Sequence, residues 1–248
     1  REANGLEALF EFEKGKCVGI LNGIDNEVWN PETDPMLTHH YNETTVEAGK
    51  KSNKESICKD FNLDPTWPLF IFIGRLVGEK AAEILPQTIG ESVELHDGRI
   101  NFIVLGSGDP ALEAVLQQLE TLIKDKFRCY IGYNETLAHR LYAGADFLLM
   151  PSRVEPCGLN QMYALRYGTV PVVRNTGGLR DTVVDIAAPN NAGYGLIFDL
   201  PTAFDLKNSI SRGMGWYFDE PAILQAARKR MMQIDNSWDN SAQRYIEI

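Results

Sequence analysis

The stretch that decides the fold is Leu69-Phe70-Ile71-Phe72-Ile73, five consecutive apolar residues with strong β propensity. A strand with one face in water alternates polar and apolar residues, so this uninterrupted run predicts a strand buried on both faces. Gly74-Arg75-Leu76-Val77-Gly78-Glu79-Lys80 follows directly. Its glycines predict a turn, and we expect the chain to continue as a helix over 80–94.

Apolar runs and helical stretches alternate from here to the end of the chain. We expect further strands over 100–105, 127–131, 146–150, 170–173 and 195–198, and further helices over 52–61, 110–124, 135–143, 158–167, 203–218 and 221–233. Strands and helices that alternate through short loops form right-handed βαβ units around a parallel sheet. The sequence therefore predicts an α/β fold: a Rossmann-like, doubly wound domain over 61–248, preceded by a lead-in and interdomain segment over 1–60.

Composition excludes several classes of protein. The 248 residues are 44% hydrophobic and 23% charged, as in ordinary globular domains. The longest apolar run has five residues, whereas a membrane span needs ~20, so we expect no membrane association. A net charge of −10 disfavours a nucleic-acid binder, which usually has a basic face. The four scattered cysteines and the lack of a visible secretory leader favour a reducing cytoplasm.

Ligands of a doubly wound sheet bind at the carboxyl ends of its strands, so the loops there are candidates for a site. After the first strand, Gly74 lets a ligand approach the backbone, and Arg75 and Lys80 flank the turn. A guanidinium and an ammonium beside a helix start suit a diphosphate. Two solvated surface cations are the alternative interpretation.

Glycines also follow the second and third strands. Gly106-Ser107-Gly108-Asp109-Pro110-Ala111 fits the dinucleotide fingerprint G-x-G-x-x-G/A. However, it follows the second strand, and no acid closes the next one, so a glycine turn beside some nucleotide is favoured over an NAD site. Gly132-Tyr133 comes next, and the Tyr133 ring could stack on a nucleobase or only pack.

The loop after the fourth strand is the richest in candidate groups. Glu155 lies at the carboxyl end of that strand, where it could hold sugar hydroxyls, stabilise an oxocarbenium-like centre, or only cap a helix. The amides of Gly158 and Leu159 could face a phosphate. After the fifth strand, Gly177 and Gly178 could form a second anion-binding nest. His139 lies on a predicted helix, without metal-ligand spacing, and we interpret it as structural.

These loops together resemble the carboxyl-terminal half of the starch synthase and bacterial glycogen synthase family. The matching strings are N-G-I-D at 22–25, V-W-N-P at 28–31, G-R-L-V-x-x-K at 74–80, L-G-S-G-D-P at 105–110, G-Y at 132–133, P-S-R-x-E-P-C-G-L at 151–159 and T-G-G-L-x-D-T-V at 176–183. They run in order along nearly the whole chain, and P-S-R-x-E-P-C-G-L is highly specific.

The resemblance implies the C-terminal domain of a GT-B glycosyltransferase, whose N-terminal acceptor-side domain is absent from this chain. It implies a retaining transfer of glucose from ADP-glucose to the non-reducing end of an α-1,4-glucan, glycogen or starch, without a metal or cofactor. The partners expected are the nucleotide sugar, the α-glucan acceptor and the missing domain of the same protein. Without that domain we expect little or no transfer.

The resemblance also assigns roles. Arg75 and Lys80 would neutralise the leaving diphosphate, and Glu155 would hold the glucose and stabilise developing positive charge, so these three are the candidate catalytic residues. The candidate nucleotide- and sugar-binding residues are Gly74, Tyr133, Cys157, Gly158, Leu159, Asn160, Gly177 and Gly178.

Three positions depart from the family's pattern. Ala81 replaces the usual glycine, and Asn160 stands where relatives often have threonine. Tyr163 occupies the position of a second glutamate in related glycosyltransferases, which favours the starch synthase branch. A GT-B enzyme with another donor, an NAD-dependent oxidoreductase and a nucleotide-sensing module remain as alternatives, and the choice between ADP-glucose and UDP-glucose stays open.

Overall fold

A computed structural model of the protein describes residues 5–248. Its sheet contains β1 (Leu69–Ile73), β2 (Asn101–Gly106), β3 (Phe127–Ile131), β4 (Phe147–Met150), β5 (Val170–Arg174) and β6 (Leu196–Phe198). All neighbouring pairs are parallel, and the strand order is β3-β2-β1-β4-β5-β6. This is the Rossmann order: the first three strands are added towards one edge of the sheet, and after β3 the chain returns to the centre and adds β4 to β6 towards the other edge. The predicted doubly wound parallel sheet is confirmed.

Helices cover both faces of this sheet. They are α1 (Glu7–Phe12), α2 (Val46–Phe61), α3 (Leu85–Leu95), α4 (Pro110–Leu122), α5 (Glu135–Gly144), α6 (Asn160–Arg166), α7 (Gly177–Thr182), α8 (Ala203–Phe218), α9 (Pro221–Met232) and α10 (Trp238–Ile246). None of the helices in the described range is long and apolar enough to span a bilayer.

The central strand β1 divides the core into two layers because successive side chains of a strand point to opposite faces. Phe70 and Phe72 belong to the layer covered by α3, α8 and α9, where the Phe70 ring stacks on Phe147 with centroids 4.5 Å apart. Leu69 and Ile71 belong to the layer covered by α2 and α5. Burial on both sides explains why β1 lacks polar residues.

The helix predicted over 80–94 begins differently from expectation. Two short 3₁₀ turns, Gly78–Lys80 and Ala82–Ile84, precede α3. Ala81 between them has φ +51°, in the left-handed region that favours glycine. This backbone conformation interrupts any continuous helix from Lys80. It also explains why a glycine suits this position in the family pattern.

Two other predicted helix starts are displaced. The helix expected from 52 is α2, which begins at Val46 and packs against α5. The helix expected from 158 is α6, which begins at Asn160, because Gly158 has φ +74° and lies outside helical geometry.

Residues of the predicted lead-in take part in the core. Lys50 of α2 is buried, and its Nζ donates to the carbonyls of Tyr142, Ala143 and Tyr167 and to the hydroxyl of Thr169. The Lys50 amine therefore satisfies carbonyls at the carboxyl ends of α5 and α6, and burial lowers the pKa of this amine well below its ordinary value. The domain boundary at residue 60 stays a prediction, but α2 shares a core with the sheet.

Buried charges join α2 and α9 at the amino edge of the sheet. Asp146, just before β4, accepts from Lys54 Nζ and from Arg228, both at 2.7 Å, and from the Leu69 N–H at 2.9 Å. Burial opposes the charge on Asp146, but Lys54 and Arg228 hold the pKa of this carboxyl below its ordinary value.

Candidate active site

Two adjoining cavities open at the carboxyl edge of the sheet, with volumes of about 240 and 210 Å³. Ile73, Gly74, Arg75 and Asn160 line both of them. The first cavity extends towards the ends of β2 and β3, and the second towards the end of β4. A larger cavity of about 720 Å³ lies at the opposite edge, around Asp146. Lys54, Asp146 and Arg228 of its lining pair with one another, and ligands of doubly wound sheets bind at the carboxyl edge, so that edge is the better candidate for chemistry.

The second cavity contains an ion pair between loops that are far apart in sequence. Lys80 Nζ donates to Glu155 Oε2, and Ser152 Oγ donates to the same oxygen at 3.1 Å. Glu155 is only 7% exposed, so its carboxylate depends on these two donors for compensation. The ion pair joins two of the three predicted catalytic residues, and the third, Arg75, lines the same cavity.

The backbone of Glu155 is held by the two glycines after β5. Gly178 N–H donates to Glu155 O at 2.9 Å. A Cβ on Gly177 would lie 2.1 Å from Glu155 O, and one on Gly178 would lie 2.0 Å from Cys157 O. The interpretation of Gly177 and Gly178 as an open anion-binding nest is wrong for Gly178, because its N–H already donates to Glu155 O. These glycines allow close contact between two loops.

The turn at Gly158 leads into α6 and closes the second cavity. Gln161 Nε2 donates to Cys157 O and to Gly158 O, each at 3.0 Å, so a side chain beyond the motif holds its backbone. Asn160 Nδ2 donates to Ile73 O at 2.7 Å and joins this turn to the end of β1. Leu159, 37% exposed, lines the same cavity.

The free thiol of Cys157 is half-buried just before this turn. Burial raises the pKa of the Cys157 thiol, although the backbone N–H of Asn22 opposes this by hydrogen bonding to the sulfur. A raised thiol pKa disfavours the nucleophilic thiolate. The contact also places the N-G-I-D stretch beside the site.

Arg75 and Tyr133 are the exposed members of the site. The Arg75 guanidinium is 66% exposed and lies 2.9 Å from Glu79 Oε2. Tyr133, 84% exposed, stands at the mouth of the first cavity, with its ring largely open to solvent. Gly132 before it has φ +138°, which only glycine adopts readily.

Sequence reasoning missed Arg153, which joins the loop after β4 to the segment after β1. Its NH1 donates to Gly78 O at 2.8 Å, its NH2 lies 2.5 Å from Glu83 Oε1, and its backbone N–H donates to Glu79 O at 2.8 Å. Arg174 Nε in turn donates to Ser152 O at 2.7 Å. The position of Arg153 inside P-S-R-x-E was the available signal. Its partners, however, lie in the distant segment between β1 and β2, so the sequence around Arg153 does not indicate them.

An aromatic stack joins the segment before α2 to the helices beside the site. Trp29 lies between His139 and Tyr163, with ring centroids 3.8 Å apart on each side. His139 Nδ1 is 2.7 Å from Asp34 Oδ2, which also accepts from Tyr167 at 2.5 Å. The interpretation of His139 as structural is confirmed by its complete burial in this network. Tyr163 packs on Trp29.

Comparison with known proteins agrees with this geometry. The family model for glycosyl transferases group 1 matches residues 53–212, which is well over half of the chain. The chain belongs to the group 1 glycosyl transferases. Within this family it is 49% identical over 99% of its length to a glycogen synthase of Flavobacterium johnsoniae, and 40% identical over 98% to starch synthase 1 of Triticum aestivum.

The structural comparison points to the same branch of the glycosyl transferases. The catalytic domain of starch synthase IV from Arabidopsis thaliana, bound to ADP and acarbose, superposes with a TM-score of 0.90 and 35% identity over 99% of this chain. The chain spans 51% of the F. johnsoniae protein and 38% of the wheat protein. It corresponds to the carboxyl-terminal half of glycogen synthases, and its sheet is the GT-B domain that the sequence predicts.

Proposed function

We propose that this chain is the donor-binding half of a retaining α-1,4-glucan synthase, which transfers glucose from ADP-glucose to the non-reducing end of glycogen or starch. The observation that carries this proposal is the convergence of Arg75, Lys80 and Glu155 at the carboxyl edge of the sheet. The names of the similar synthases, and the ADP bound to the similar starch synthase IV, support it.

In this proposal the two cavities bind different parts of the nucleotide sugar. The nucleoside occupies the first cavity, with its base against Tyr133, while Leu159 and Asn160 approach the ribose and phosphates. The diphosphate lies beside Gly74 and Arg75, which line both cavities. The glucose occupies the second cavity beside Glu155.

Charge compensation is the main chemical task of these residues. When the glucose–phosphate bond breaks, negative charge develops on the diphosphate and positive charge on the anomeric carbon. Arg75 and Lys80 neutralise the diphosphate, so the proposal needs no metal ion or cofactor. Glu155, with the Cys157 and Gly158 backbone, faces the positive centre. Lys80 therefore serves both ends of the breaking bond in this proposal, since it also contacts the Glu155 carboxylate.

The remaining partners belong to the whole protein. We propose that the missing N-terminal half supplies the α-glucan acceptor site, that the enzyme works in the cytoplasm, and that this chain alone transfers little or no glucose. Gly177 and Gly178 contribute by holding the Glu155 loop.

Titration of ADP, UDP and NADH into the chain by isothermal calorimetry tests the proposal, with Arg75→Ala alongside. We expect ADP to bind, and to bind less tightly to the variant because a phosphate loses its cation. A preference for UDP would move the donor, and binding of NADH alone would refute the synthase function in favour of an oxidoreductase. ADP binding without transferase activity after the N-terminal half is restored would indicate a nucleotide-sensing module.

A further inference from the structure

A carboxylate stands beside the most exposed cation of the proposed donor site. Glu79 lies in the turn Gly78–Lys80, four residues after Arg75. Its Oε2 is 2.9 Å from NH2 of Arg75, and the two side chains are 65% and 66% exposed. Arg75 lines both cavities and Glu79 lines neither, so the carboxylate engages from outside the cavities the guanidinium that an anion within them would contact.

The backbone of Glu79 is fixed beside the site. Its carbonyl accepts from Arg153 N–H at 2.8 Å and Val154 N–H at 3.3 Å, and Arg153 NH1 donates to the carbonyl of Gly78. The side chain can rotate away from Arg75, but the turn holds its Cα in place. The fixed backbone therefore keeps the carboxylate within reach of Arg75.

We propose that Glu79 competes with the phosphates of the bound nucleotide for Arg75 and thereby lowers the affinity of the donor site. This inference rests on the proposed function. A diphosphate that reaches Arg75 must displace the carboxylate or share the guanidinium with it. In the first case the Arg75–Glu79 ion pair is lost, and in the second two like charges lie close together, so the binding free energy becomes less favourable in both.

The size of the effect follows from the exposure of the pair. Exposed ion pairs contribute little because water and salt screen them. Removal of the charge should therefore tighten ADP binding by about two- to fivefold at low ionic strength, by the usual strength of such pairs. The gain should shrink as salt is added, because the Debye length falls to about 8 Å at 0.15 M.

Glu79→Gln tests this with the shape of the side chain preserved. ADP is titrated by calorimetry into the wild-type chain, E79Q, R75A and the double variant E79Q/R75A, at low and at 0.15 M salt. Glu91→Gln is the matched control. It also removes one carboxylate from an ion pair, with Lys207 at 2.5 Å, but touches neither cavity.

The expected result is tighter ADP binding by E79Q, no change in E91Q, and no gain from E79Q when Arg75 is already alanine. If wild-type binds ADP and E79Q binds equally or less tightly, the competition is refuted while the donor site stands. A gain that persists in the R75A background would also refute it, because the charge would then act without Arg75. A wild-type chain that does not bind ADP would refute the donor site itself, and the inference with it.

Discussion

Gly178→Ala tests whether close contact between two loops holds the candidate active site together. An added Cβ would lie 2.0 Å from Cys157 O and 2.5 Å from the Cα of Cys157. Ordinary Cβ contacts begin at about 3.4 Å, so the loops must separate by more than 1 Å. Both atoms that block the Cβ belong to the backbone and cannot rotate away. Overpacking of this kind costs about 1–3 kcal/mol of unfolding free energy.

The substitution should also reduce catalysis. The same movement breaks the hydrogen bond from Gly178 N–H to Glu155 O and displaces the carboxylate that Lys80 contacts. A misplacement of about 1 Å can reduce catalysis by about 100-fold. We expect the restored two-domain enzyme to lose activity to this extent, whereas this chain should show a thermal midpoint several degrees lower.

Thermal unfolding and glucose transfer are the two assays, with Gly90→Ala as the control. Gly90 lies in the interior of α3, and a Cβ there would meet no atom within 4 Å. Alanine should therefore stabilise the helix by up to about 1 kcal/mol. A G178A variant with wild-type activity and an unchanged thermal midpoint would refute the argument, because the loops would then have room for a methyl group.

Three further predictions concern the groups that support the site. Asp146→Asn should lower the free energy of unfolding by about 3–5 kcal/mol in urea denaturation, because buried Lys54 loses its counterion and buried Arg228 loses one of its two carboxylate partners, Glu47 being the other; a loss below 1 kcal/mol would contradict this. The pKa of Asp34 is also lowered: burial opposes this, but hydrogen bonds from buried partners outweigh it. Carboxyls with lowered pKa values contribute their full stabilisation above about pH 4 and lose it as the pH falls below that value. Thermal midpoints measured between pH 6 and pH 2.5 should therefore fall only in the acid part of this range. They should fall less steeply in D146N, which lacks one of these carboxyls. Trp29→Ala should cost about 3–5 kcal/mol, since two stacked rings lose their partner; near-ultraviolet circular dichroism and denaturation would measure this, and an unchanged midpoint would refute it.

Much of the fold could be predicted from local patterns. The apolar run of β1 and the alternation after it predict a parallel sheet, because burial on both faces requires side chains without polar groups. The helix starts were less predictable. The interruption before α3 depends on Ala81 in a left-handed conformation, and alanine provides no local signal for it.

The candidate active site, too, could be predicted from the sequence only in part. The sequence by itself determined which residues follow each strand. Because the carboxyl ends of parallel strands meet at one edge of the sheet, this order alone gathers Arg75, Tyr133 and Glu155 at that edge. Only the tertiary structure decided how they pair. Lys80 and Glu155 are 75 residues apart, and their contact depends on the register of β1 and β4 and on loops that Arg153 holds together. The physical reason is that hydrophobic periodicity reports burial along one segment, whereas a hydrogen bond between two loops depends on how both segments are placed.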